Sequence, residues 1–452
     1  MHLGANNWAF SWVQIMAHHK KMLWGLLTLM LLGVASGVLQ ADYSVAILHS
    51  VPSQLSSHNP VFGLFAAVNG LQLFAIGWGT SVLLMSLLFA WQAESLKSGV
   101  ILFAVLGLVT LLTLGLSAWF DVQIGQLEGF AIIVALTLVT ANMVHLLSTL
   151  HREMARGLFQ YDAVAEAIKL NHSPIFLSNL TTALGVAFTA WLYPEWQDFS
   201  VVLSIGVFFS YLLSITLIPL LLLSWLLEFR VGNSRDRHSL YQYIQSLEKI
   251  SQRKSVRWLT FGSLLLATCA AIWSLSVNPL QLSLVMFERL LENTAWLVGS
   301  FAVLFILWWR QIGWAVIAVI LLSLSILFAM SLLLTFVPMP TSSLTVSHLL
   351  LLLVAPIGII VDDLIHFFAR YRRAKMTVFS QGLDSVRFAM VSVGRPILIT
   401  SLLLGSAMLV IIGLAMIYDQ TFVLFLASMV LVGIVFLTLL LLFVLPIWLM
   451  NL

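Results

Sequence analysis

Runs of about 20 apolar residues, each long enough to cross a hydrocarbon layer of roughly 30 Å, recur along the whole of this chain. A bilayer offers no water to an open backbone group, so each run must close its hydrogen bonds internally as a helix. Of 452 residues, 61% are hydrophobic and 9% charged, too few polar side chains to clothe a soluble body. The expected class is an all-α polytopic membrane protein. Twelve transmembrane helices are expected, near residues 22–40, 63–91, 98–118, 127–149, 174–193, 199–227, 257–276, 293–309, 312–336, 345–369, 395–416 and 420–449.

Charge sets the orientation. Of the 21 Lys and Arg, all but Arg289 fall at the N-terminus, in the loops after the even-numbered spans, or at the helix ends flanking them. The opposite face carries Asp42, Asp121, Glu195, Asp198 and Asp419. Positive charge stays on the cytoplasmic side, so both termini are expected there. The basic residues thus report topology, and nucleic acid is not an expected partner. Residues 1–17, amphipathic with Trp8 and Trp12, read either as a short helix on the inner membrane face or as a disordered tail. Trp91, Trp308 and Trp309 read as interfacial anchors. The lone Cys269 excludes an intrachain disulfide.

The longest polar segment, 228–256, reads as a linker with a short amphipathic helix. It separates a first six-helix repeat, 1–227, from a second, 257–452. Setting Pro174 on Pro396 aligns HSPIFLSNLTTALG (172–185) with GRPILITSLLLGSA (394–407) and pairs Ala167 with Ala389. With an offset one residue smaller, TANMVHLLSTLHR (140–152) falls on VDDLIHFFARYRR (361–373), matching His145 to His366 and Arg152 to Arg373. Six spans of equal orientation per half make two parallel repeats, with sites expected where they meet.

The tenth span holds two adjacent acids, Asp362 and Asp363, where the first half has Ala141 and Asn142. An ionised side chain in hydrocarbon costs roughly 2.5–3.5 kcal/mol on insertion scales, and such residues mark ion pathways. No other apolar span carries an acid at this depth. His366 lies one turn below both acids, and Arg370 continues the line toward the cytoplasm. Two close carboxylates in a low dielectric cannot both ionise freely, so they should titrate as a coupled pair, one holding its proton toward neutral pH. Pro356 and Gly358 suggest a kink just before them. Spans five and eleven each start at a proline, which suits the first position of a helix. A turn further on, Thr400 or Ser401 is placed to hydrogen-bond the acids; Asn142 and His145 lie at the same depth and either can pair with them across the interface. Hydroxyls and amides there can equally be helix–helix glue. No metal-ligand spacing, phosphate-cradling glycine loop or nucleophile triad occurs, so neither a cofactor, a metal nor enzymatic activity is expected.

GIIVDDLIHFFARYRR followed by GRPILITSLLLGSAMLVIIG resembles the second-half signature of the resistance-nodulation-division (RND) superfamily, and within it the MMPL-type exporters. ANMVHLLSTLHRE and SPIFLSNLTTALG resemble the weaker first-half pattern. The resemblance implies an RND-like transmembrane core in a bacterial inner membrane, with Asp362 and Asp363 as proton relay and His366, Thr400, Ser401, Asn142 and His145 in support. It implies proton-driven export; the cargo expected from it is lipidic or amphiphilic. Two departures stand out. The stretches at 41–62 and 277–292, where the family carries large extracytoplasmic domains, are too short to fold alone, and the first half lacks its acid. Cargo would then enter from membrane lipid, or a separate extracytoplasmic protein would supply the missing part. The alternatives are a non-transporting lipid- or partner-binding module similar to sterol-sensing domains, and an accessory subunit of a full-length transporter.

Overall fold

The computed structural model describes residues 8–40, 70–122, 124–224, 284–336, 345–377 and 382–450, with positions 242, 245, 246, 249 and 269. Residues 41–62, most of the linker 228–256 and most of the span expected at 257–276 lie outside them. The described chain is built of helices: α1 (Trp8–His18), α2 (Lys20–Gln40), α3 (Gly70–Gln92), α4 (Leu96–Trp119), α5 (Gln126–Ala155), α6 (Gln160–Leu192), α7 (Gln197–Ile215), α8 (Leu217–Ser224), α9 (Leu284–Trp309), α10 (Ile312–Phe336), α11 (Val346–Thr377), α12 (Gly382–Ile417), α13 (Thr421–Leu439) and α14 (Leu445–Leu449). Among the described residues, nine helical segments are long and apolar enough to cross a membrane.

The centre is made by α5, α6, α11 and α12. The apolar stretch of α5 is buried along its whole length and that of α11 nearly so. Helix α11 makes its broadest contact with α6, and α12 lies against both α11 and α5. The α6–α11 seam is tight because small residues line it: a Cβ on Gly358 would sit 2.6 Å from Thr182 Cγ2, and one on Gly185 3.1 Å from Val354. Thr182 Oγ1 donates to the Gly358 carbonyl across the seam at 2.9 Å. Close backbone approach with a hydroxyl bridge is the usual adhesive between helices that have no water to expel.

Prolines place several of the remaining contacts, and two of them correct the sequence reading. Spans five and eleven do not begin at Pro174 and Pro396; the amphipathic segments upstream join them into single helices of 33 and 36 residues, with the prolines inside. Pro396 has no N–H for the Ser392 carbonyl one turn back, and Arg152 Nη1 donates to that carbonyl at 3.3 Å. Pro219 likewise leaves the Ile215 carbonyl open at the break between α7 and α8, and Trp12 Nε1 of α1 donates to it at 3.0 Å. Residues 8–17 are therefore helical and docked on the bundle, with Ala9, Val13 and Met16 buried. A π-turn at Leu440–Val444 precedes Pro446 in the last span.

Two further expectations change. Residues 284–292, read as loop, are helical and lengthen α9. Trp91 is exposed, as an anchor should be, but Trp309 is 1% exposed and packs between Phe305 and Phe368.

Candidate functional site

Three buried polar residues of α11, Asp362, His366 and Arg370, follow one another at intervals of four along a single helix face, because 3.6 residues per turn returns every fourth side chain to nearly the same direction. Asp363 is offset from that line toward α12. Both acids are buried, at 2% and 9% exposure.

Across from them, α5 presents His145. Its ring lies flat on that of His366, with centroids 3.7 Å apart and planes 5° from parallel. His145 Nε2 is 3.5 Å from Asp363 Oδ1 and 3.9 Å from Asp362 Oδ2, and His366 Nε2 is 3.8 Å from Asp362 Oδ1. From α12, Thr400 Oγ1 stands 2.8 Å from Asp363 Oδ1 and 2.8 Å from the Ile397 carbonyl. Its single hydroxyl hydrogen serves one acceptor at a time, so the carboxylate and the helix carbonyl compete for it. Ser178 of α6, the residue aligned with Thr400, is beside Asp362 but outside hydrogen-bonding geometry.

The cluster is under-satisfied. Both oxygens of Asp362, both ring nitrogens of His366, His145 Nε2 and Ser178 Oγ are buried with no hydrogen-bond partner. A buried polar atom left in that state costs about 1–3 kcal/mol. The histidine–carboxylate gaps exceed a charge-assisted hydrogen bond of roughly 2.8 Å by only about 1 Å, and a small approach of α5 to α11 would close the two made by His145.

Of the expected site residues, the structure brings together Asp362, Asp363, His366, His145 and Thr400. Ser401 stands beside Asp363 with its hydroxyl engaged elsewhere, and Asn142 is not brought in. Ser401 Oγ is 2.8 Å from the Ile397 carbonyl, to which it donates, and 2.6 Å from Thr438 Oγ1. Asn142 Nδ2 bonds Ser210 Oγ of α7 at 3.1 Å instead of the acids. Asn142 sits three residues before His145 on a face that meets α7.

Donor atoms of His145, Asp362 and His366 all lie within 4.8 Å of one another, a spacing that invites comparison with a metal centre. The ring arrangement is unfavourable for one: in parallel stacked imidazoles the nitrogen lone pairs run side by side, whereas tetrahedral coordination needs them to converge on a point.

The polar line extends toward the basic end of α11. Arg370 Nη2 donates to Thr149 Oγ1 and Asn171 Oδ1, each at 3.0 Å, and Asn171 Nδ2 reaches Thr149 at 3.0 Å. Thr149 and Asn171 escaped sequence reading. The register that places Thr149 one turn beyond His145 was available, yet nothing in the chain said which residue of α6 would meet it.

Two solved structures have the same arrangement of helices. SecDF in its super-membrane-facing form superposes with a TM-score of 0.65 at 14% identity, over 84% of this chain and 62% of that one. The fold is SecDF-like. SecDF from Thermus thermophilus, described as a translocon-associated membrane protein, gives 0.63 at 14% identity, over 83% of this chain and 61% of that one. This chain thus spans about three fifths of the length of the SecDF structures it matches. At 14% identity the likeness is one of fold alone. No protein-family model matches the sequence, and no curated protein matches it either.

Proposed function

We propose that this chain is a proton-coupled transporter of a bacterial inner membrane, with twelve spans in two parallel repeats and both termini cytoplasmic. The single observation that carries this reading is the buried couple Asp362–Asp363, touched from α5 by His145 and from α12 by Thr400, inside a SecDF-like bundle. Residues that the internal alignment pairs, His145 with His366, meet face to face there, which supports placing the site between the repeats.

The physical cycle follows from the distances. With Asp363 ionised, its Oδ1 accepts the Thr400 hydroxyl at 2.8 Å and attracts the His145 ring 3.5 Å away. Protonation of the carboxylate removes that attraction and releases Thr400 to the Ile397 carbonyl. The contacts between α5, α11 and α12 therefore differ in strength between the two states. A proton drawn across the membrane delivers about 2.3 kcal/mol per 100 mV, enough with a pH gradient to drive such a switch repeatedly.

The cargo we propose is lipidic or amphiphilic, of the kind handled by MMPL-type exporters, reaching the bundle from membrane lipid. A separate extracytoplasmic protein would supply what the stretches at 41–62 and 277–292 are too short to form. No enzymatic step and no cofactor enters the reading.

The test is Asp362→Asn with Asp363→Asn in reconstituted vesicles. Infrared spectra of the wild type should show a carboxylic-acid band that titrates, and fluorescence from Trp309 and Trp314, which lie against Phe368 and Tyr371 of α11, should change with it. Both signals should vanish in a double mutant that still inserts and stays folded. A double mutant with the wild-type pH response would end the proposal.

A further inference from the structure

We propose that Arg370 is an electrostatic gate that keeps protons on the acid pair from leaking to the basic end of the bundle; this rests on the proton-coupled reading above.

Arg370 is 3% exposed. Its hydrogen-bond partners, Thr149 and Asn171, are neutral, and its Nε has none. Among the described residues no carboxylate lies within 4 Å of it. The acids nearest in the fold are engaged elsewhere: Glu153 with Arg152 at 3.3 Å and Arg156 at 2.9 Å, Glu166 with Lys169 at 3.0 Å and Arg373 at 3.4 Å. A buried guanidinium without a counter-ion is a costly way to join three helices, since an amide would make the same hydrogen bonds. What only the guanidinium supplies is a permanent positive charge, as it does not give up its proton in proteins.

That charge stands where it matters. Along α11 it follows Asp362 and His366 at intervals of one turn. On the facing side, Asn171 Nδ2 lies 3.5 Å from the His145 carbonyl and 3.0 Å from Thr149. A proton leaving the acids through the stacked histidines meets Arg370 next. The four residues from His366 to Arg370 rise roughly 6 Å, and a unit charge at that distance, with an effective dielectric near 20, lowers the population of a second positive charge by on the order of a hundredfold.

The experiment measures passive proton entry into vesicles holding the purified protein, with a potassium diffusion potential and a trapped pH dye. Arg370→Gln should leak, approaching a hundredfold above wild type, and Arg370→Lys should stay tight. Adding Asp362→Asn and Asp363→Asn to Arg370→Gln should close the leak again. Asn171→Asp, which sets a carboxylate against the guanidinium without removing it, should leak as well and covers the case in which Arg370→Gln fails to insert. A tight Arg370→Gln or a tight Asn171→Asp overturns the gate, as does a lysine variant as leaky as the glutamine one. A leak that survives loss of the acids also overturns it. None of these results touches the titration of the acid pair, so the gate can fall while the proton-coupled reading stands.

Discussion

Gly358 offers a measurable handle on the seam that holds α11 against α6. A methyl group placed there would stand 2.6 Å from Thr182 Cγ2, 2.7 Å from Thr182 Oγ1 and 3.0 Å from Thr182 Cβ. Ordinary carbon–carbon contact is about 3.5–4.0 Å, so the helices must part by nearly 1 Å or Thr182 must abandon its rotamer and its 2.9 Å bond to the Gly358 carbonyl. Overpacking of this kind costs about 1–3 kcal/mol, and the lost hydrogen bond adds about 1 kcal/mol. Alanine's better helix propensity returns up to about 1 kcal/mol. Gly358→Ala should therefore destabilise by about 1–3 kcal/mol, read as a lower midpoint in thermal or denaturant unfolding of the detergent-solubilised protein. Gly107 in α4 is the control, because a Cβ there meets nothing within 4 Å; Gly107→Ala should be neutral or slightly stabilising. Thr182→Ala removes the two nearest atoms and leaves only Cβ, at 3.0 Å, so Gly358→Ala with Thr182→Ala should recover much of the loss, with a coupling of about 1 kcal/mol or more in the double-mutant cycle. A Gly358→Ala protein as stable as wild type, or a pair whose effects simply add, would refute this account of the seam.

Other perturbations separate buried from peripheral roles. Trp309→Ala should cost about 3–5 kcal/mol, as expected for deleting a fully buried ring, whereas Trp91→Ala should stay within about 0.5 kcal/mol; the comparison is made by unfolding midpoint. Trp12→Phe keeps the packing of α1 and removes the N–H given to the Ile215 carbonyl, so it should lose about 1 kcal/mol and speed protease cleavage between α1 and α2. Equal cleavage rates would show that Pro219 leaves nothing for Trp12 to satisfy.

Much of the fold was legible because the bilayer leaves a chain few options. Hydrophobic length, charge on one face and the isolated acids of α11 are all local features, and they led to a helical bundle with Asp362 and Asp363 at its heart. Thr400 and His145 were placed among the candidates by depth alone, and depth was enough. The failures have one origin. Asn142 shares the depth of the acids but faces α7, and facing is settled by how neighbouring helices rotate as they pack. Prolines 174 and 396 look like helix starts when read locally, yet flanking helices supplied partners for the bundle, Arg152 among them, and the chain ran straight through.

What could be read from the residues in order was therefore the set of one-dimensional properties: which segments are apolar and long enough to enter a membrane, and which of them carry charge. The stacking of His145 on His366, the isolation of Arg370 among neutral partners and the burial of Trp309 belong to packing, because each depends on residues far apart in sequence being pressed onto one another. Transfer free energy is a property of each residue and sums along the chain. Contact between helices depends on their mutual rotation, and no single segment contains it.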